Sequence, residues 1–229
     1  MEIPKSYVIS PGPLTERREE CVEHLRSVGI EPVVFWGLYG PQMRLGSRYN
    51  HPSRMYQHLK SATICLALNH WCLWSHIALM GEDFQAIIFE DDVLLPENFV
   101  EEFPRAFSEV PDDWDIFYLS ILYPKCIKKG KMRVQRVSDS IIRHIAATQW
   151  DGACDGLHAY MLNGRGAKKM MDTPFTLNEP VDRWVSFNVL PFMNAYIWHP
   201  SPVTQKSLGK VKKKERWRST SGGIKEKVK

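Results

Sequence analysis

Three consecutive acids, Glu90-Asp91-Asp92, follow the apolar run Gln85-Ala-Ile-Ile-Phe89 and precede Val93-Leu94-Leu95. Carboxylates this close repel and raise one another's pKa, so such a cluster calls for a compensating cation. Hard oxygen donors select Mg²⁺ or Mn²⁺, typically held by one or two carboxylates together with substrate phosphates. A solvated acidic turn is the plain alternative. Against it stands the setting: an acid triplet wedged between two core-like runs conflicts with local folding, as functional sites do.

The run before the triplet reads as a strand covered on both faces. Its acids then sit at the strand's carboxyl end, where open α/β sheets bind ligands. The chain's opening agrees with such a sheet. Residues 6–10 form a short buried strand stopped by Pro11-Gly-Pro13. Residues 15–28 form a helix with Cys21, Leu25 and Val28 on one face and Gly29 as its cap, and residues 32–36 form a second strand. Residues 37–52, with Arg44 and Arg48, read as a long loop. Residues 54–80 are apolar around most of a helix, which predicts a central, buried element with Cys65 and Cys72 on one buried face. A helix over 96–107, a strand over 115–119 and a polar loop near 124–133 follow. Then come strands near 141–146 and 158–162, helical segments at 164–171 and 182–189, and a last strand at 195–198. The expected fold is α/β, an open, mostly parallel mixed sheet with helices on both faces, in a single domain over 1–205.

Composition bounds the rest. The 229 residues carry +4 overall, but residues 206–229 alone carry +8, leaving a body of −4. The tail reads as a solvated terminus, with contact to anionic membrane headgroups or donor phosphates as sharper readings. The body has no basic stripe, so nucleic acid is not an expected partner. Five cysteines without a CxxC pair fit a reducing compartment. No segment reaches the length of a membrane span and the N-terminus lacks a signal-type apolar core, so a cytoplasmic chain, soluble or peripherally membrane-associated, is expected.

The run Ala86-Ile-Ile-Phe-Glu-Asp-Asp-Val-Leu-Leu-Pro-Glu-Asn-Phe99 resembles the signature of glycosyltransferase family 25, the group of lipopolysaccharide sugar transferases and collagen galactosyltransferases. Tyr7-Val-Ile-Ser10 with Arg17-Arg18 resembles the family's first strand and paired arginines. His70 matches its helical histidine, with Cys65 before and Trp74 one turn later. Gly156-Leu-His-Ala-Tyr-Met-Leu162, Gly166-Ala-Lys-Lys169, Pro180-Val-Asp182 and Pro202 with Gln205 are similar to its later segments. Ser10-Pro11 and Asn69 depart from the usual Asn-Leu and Ser, which bears on donor or acceptor identity. The resemblance implies a GT-A-type fold, a UDP-sugar donor carrying galactose or glucose, a glycan acceptor, Mn²⁺ or Mg²⁺, and inversion.

Roles follow from that chemistry. A metal on the donor diphosphate stabilises the leaving group, with Asp92 and Asp91 as its candidate ligands and His70 as support. Ser10, Arg17, Arg18, Glu90, Asp91 and Gln205 are the candidate contacts to the nucleotide sugar. An inverting enzyme needs a base for the acceptor hydroxyl: Asp182 first, where the alternative is a helix cap, and Asp155 second, where the alternative is a turn residue. Trp150 and Trp184 are candidate sugar platforms, with ordinary packing the commoner fate of tryptophan. Two other classes compete: a catalytically inactive nucleotide-sugar- or carbohydrate-binding module, and a phosphotransfer or nuclease-like enzyme, which would usually show a Gly-rich phosphate loop.

Overall fold

The structure, a computed structural model, describes residues 2–43, 59–122, 133–145 and 155–206. Arg44, Arg48, Cys126, Trp150, Cys154 and the tail from residue 207 lie outside the described residues.

The first unit is β1 (Lys5–Pro11), α1 (Thr15–Ser27) and β2 (Val33–Gly37). Pro11 closes the strand rather than lying beyond it. The helix stops at Gly29, whose φ of 85° only glycine adopts cheaply. Gly29 N donates to the Arg26 carbonyl at 3.0 Å and Ile30 N to that of Leu25 at 2.9 Å, while the buried Leu25 and Ile30 flank the turn. These are the two bonds and the apolar contact of a Schellman ending. After α2 (Ser61–Leu79), β3 (Gln85–Glu90) carries the acids, followed by β4 (Val93–Leu94), α3 (Phe99–Phe107) and β5 (Ile116–Tyr118). Then come β6 (Val134–Arg136), β7 (Ile141–His144), β8 (Ala159–Asn163), α4 (Gly164–Asp172), α5 (Val181–Trp184), β9 (Ala195–Trp198) and β10 (Thr204–Gln205).

Among the described residues, eight strands make one sheet in the order β2-β1-β3-β8-β5-β9-β7-β6. Strands β1, β2, β3, β5, β6 and β9 run one way, and β7 and β8 run against them. The sheet is therefore mixed and mostly parallel in direction, as the sequence indicates. Alternation splits the core. Tyr7, Ile9, Ala86, Ile88 and Tyr160 pack with α2, α4 and α5 on one face, and Val8, Ile87, Phe89 and Met161 pack with α1 and α3 on the other. Each face buries a full apolar layer.

Three sequence expectations are corrected. Cys65 is buried but Cys72 is exposed, although seven residues separate them on one helix. The early turns of α2 are covered by the Gly40–Gln42 turn, whose Gly40 sits against the Ala62 backbone, while its last turns are covered on one side. For the same reason Leu79, counted in the apolar stretch, is 85% exposed. The helical segment after Asp182 begins at Val181 and changes from α-helix to π-helix at Val185–Val189.

Among the described residues, no helix is long and apolar enough to cross a membrane.

Candidate active site

The acids leave the sheet at the carboxyl edge of β3 and separate onto two sides. Ile88 faces α2, so two residues on Glu90 faces α2 as well. The chain then turns, and Asp91 and Asp92 enter the space beneath α1.

On the α1 side, Arg17 forms an ion pair with Asp91 and lies 3.5 Å from Asp92 Oδ2. Ser10 at the end of β1 donates to Asp91 Oδ2 at 3.1 Å. Asp92 accepts from Gln205 Nε2 at 3.3 Å, because the short β10–β4 pair sets Gln205 against Val93. Lys206 N donates to the Asp92 carbonyl at 2.8 Å, and Lys206 Nζ holds Glu20 at 2.8 Å. All of these side chains but Lys206 and Glu20 are buried. Burial pushes both carboxyls up. Asp92 reaches about 7, first from burial and then from the Glu90 charge, with Arg17 opposing. Asp91 is raised by burial, against Arg17 and the Ser10 bond. One guanidinium thus balances the pair incompletely. Cys21 lies below, its thiol pushed up to about 12 by burial and then by Asp91, so it is inert as a nucleophile.

On the α2 side, His70 Nε2 lies 3.5 Å from Glu90 Oε1 and His70 Nδ1 lies 3.0 Å from the Tyr160 hydroxyl. Trp74 Nε1 donates to that hydroxyl at 2.7 Å. Glu90 N donates to the His158 carbonyl at 2.9 Å, continuing the β3–β8 ladder so that His158 stands across from Glu90. The His158 ring is buried, neither nitrogen is hydrogen-bonded among the described residues, and burial lowers its pKa to about 4, so it is neutral. Gly156 (φ 111°) lets the chain approach it, since a Cβ there would stand 2.9 Å from Leu122 Cγ and 3.2 Å from His158 Nδ1.

Asp182, in the first turn of α5, is pushed up to about 6, first by burial and then by the charge of Asp155, with Glu90 adding to it. Asp155 is buried, raised by that burial, and held by Arg183 at 3.4 Å. Pro180, not Asp182, is the cap of α5, and the Asp182 side chain accepts from Arg183 N at 2.9 Å.

The structure therefore gathers Ser10, Arg17, Glu90, Asp91, Asp92, Asp155, Asp182, His70 and Gln205 at one sheet edge. Arg18 stands apart: it stacks over Trp36 at 4.1 Å and donates to the Gly12 carbonyl at 3.0 Å. His70, expected as support for a metal site, has Nδ1 3.0 Å from the Tyr160 hydroxyl and Nε2 3.5 Å from Glu90 Oε1. Trp184 is fully buried between Trp74 and Phe175 and is packing, not a platform. His158 and Tyr160 escaped the sequence reading because only the β3–β8 pairing places them; the visible signal was the Gly156-Leu-His-Ala-Tyr pattern. Among the described residues no three metal-type side chains converge.

The model of glycosyltransferase family 25 (LPS biosynthesis protein) matches residues 3–185, a span that includes every acid of this edge. The chain belongs to glycosyltransferase family 25. Among its relatives are the procollagen lysyl hydroxylase and glycosyltransferase of Acanthamoeba polyphaga mimivirus, 25% identical over 51% of this chain and 15% of that protein. Another is the probable inactive glycosyltransferase 25 family member 3 of Bos taurus, 25% identical over 52% of this chain and 19% of that protein. The chain spans less than a fifth of the length of these curated relatives. The crystal structure of A197 from STIV aligns over 89% of this chain and 83% of its own, with a TM-score of 0.46 and 13% identity, too loose a likeness to carry an argument.

Proposed function

We propose that the chain transfers a hexosyl unit, galactose or glucose, from a UDP-sugar to a carbohydrate hydroxyl with inversion. The observation that carries this is the pairing of two functions on one edge. Asp91-Asp92 gather negative charge beside Arg17, while Asp182, raised to about 6, lies within electrostatic reach of Glu90. A carboxylate near neutrality is suited to take the acceptor's proton. Asp155 tunes it by like charge and is the alternative base.

In this reading Asp91 and Asp92 hold Mn²⁺ or Mg²⁺. The donor set supports it: two hard carboxylates, one of them still raised to about 7 beside Arg17, suit an ion completed by phosphate oxygens rather than a full protein cage. When bound, the ion compensates the charge of the departing diphosphate. Arg17 adds a second fixed positive charge there, Ser10 orients Asp91, and Gln205 orients Asp92.

A second reading, a nucleotide-sugar-binding module without turnover, draws on the Arg17 pairing, which already supplies a cation to both acids, and on the bovine relative's name. UDP release separates the two. With Mn²⁺, a panel of UDP-hexoses and carbohydrate acceptors, transfer predicts release that requires donor and acceptor together, with an inverted anomeric proton in the product. UDP binding with no release under any pairing would leave the module.

A further inference from the structure

Glu90 differs from its two neighbours. Its side chain is 15% exposed, against 3% for Asp91 and 2% for Asp92, so it is the acid of the three that opens outward. Its nearest side-chain partner, His70, comes from α2, with Arg17 of α1 and Asp182 of α5 within electrostatic reach, and the hydrogens on the α2 and β8 side can be placed by counting.

An indole Nε1–H only donates, so the Tyr160 oxygen accepts from Trp74 at 2.7 Å. Burial raises the Tyr160 pKa, so the phenol keeps its proton. That proton faces His70 Nδ1 at 3.0 Å. Nδ1 is then the acceptor, and the ring carries a hydrogen on Nε2, directed at Glu90 Oε1 3.5 Å away. The opposite tautomer would aim two donors at one phenol oxygen and strand the phenol proton in a buried site. It would also turn an Nε2 lone pair toward a carboxylate. Each is costly away from water. The 3.5 Å gap is long for a hydrogen bond, and such contacts commonly tighten when substrate binds.

We infer that Tyr160 is a positioning residue: through His70 it fixes the Glu90 carboxylate as a hydrogen-bond acceptor for a hydroxyl of the transferred hexose. This rests on the nucleotide-sugar reading above. A carboxylate held in one orientation reads a hydroxyl strongly, because a sugar lacking it leaves the acceptor unpaired. The arrangement also divides the acid triplet by task, with Asp91 and Asp92 toward the diphosphate and Glu90 toward the sugar.

The test has two independent arms on the full chain. Long-range ¹⁵N–¹H spectra of the histidine rings, with His70 assigned by His70→Gln, report the tautomer directly. The Nε2–H form at pH 7 is expected, with Tyr160→Phe releasing it to a mixture; an Nδ1–H form in the unaltered chain overturns the relay. Calorimetry with Mn²⁺ then compares UDP with UDP-glucose and UDP-galactose. Tyr160→Phe should weaken the preferred UDP-hexose about tenfold and leave UDP itself unchanged, while Glu90→Gln, which also removes a charge acting on Asp92, should weaken the UDP-hexose by more than it changes UDP. The double variant should be no weaker than Glu90→Gln alone. Equal losses for UDP and UDP-hexose, or additive losses in the double variant, overturn the role. If the unaltered chain binds no UDP, the nucleotide-sugar reading fails and takes the hexose contact with it, while the tautomer spectrum still decides the relay. Should Tyr160→Phe not fold, the unaltered tautomer and Glu90→Gln remain decisive.

Discussion

Arg17 Nη2 stands 3.5 Å from Asp92 Oδ2, and the same guanidinium is ion-paired to Asp91, so one residue of α1 clamps both acids that follow β3. Without it, two buried carboxylates would face each other and Glu90 uncompensated.

Arg17→Met should therefore destabilise the fold by about 3 kcal/mol at neutral pH, the usual cost of stripping one partner from a buried ion pair. The sign of its pH dependence follows from the carboxyls. Asp92 titrates near 7 in the folded state, above its unfolded value, so its ionisation costs stability as pH rises through that point. The deficit should be larger at pH 8 than at pH 5. Thermal unfolding across that range checks it, and Mn²⁺ should recover part of the loss at pH 8.

Asp182→Asn should reduce turnover by at least about 100-fold, the contribution typical of a positioned base. Its carboxyl is raised to about 6, so the folded state binds protons more tightly than the unfolded chain. Ionising it costs stability as pH rises through 6, and removing that cost should stabilise the variant at pH 7, on the order of 1–2 kcal/mol. In the unaltered chain kcat/KM for the proposed transfer should fall as pH drops below about 6. A pH–rate profile and chemical denaturation of both proteins test this. A variant both inactive and less stable would point to a structural Asp182.

Trp184→Ala should cost about 3–5 kcal/mol of stability, because the ring fills the core between Trp74 and Phe175. A surface sugar platform would instead lose affinity at unchanged stability. Denaturant midpoints beside UDP-sugar affinity separate the two.

The parts of this fold that were legible in the sequence are those with strong local pattern. The Ile87-Ile88-Phe89 run, the opening strand–helix–strand and the acids at the strand end are all local signals. Strands β4 and β10 are two residues each, too short for periodicity to show. Their pairing nevertheless carries Gln205 to Asp92, 113 residues away. The β6 strand, Val134–Arg136, is partly or fully exposed at the sheet edge and lacks an apolar run. The site shows the same division. Asp91, Asp92 and Asp182 were visible as residue types in context. The roles of Tyr160 and His158 depend on the β3–β8 register, and His70 alone on a helix gave no hint that a phenol would decide its tautomer.

The most direct test of the central claim is calorimetric titration of UDP into the purified chain with Mn²⁺, repeated with EDTA and with Asp92→Asn. The account predicts binding that requires the metal and disappears in the variant. Absence of UDP binding with any divalent metal, or binding indifferent to both EDTA and Asp92→Asn, would contradict it.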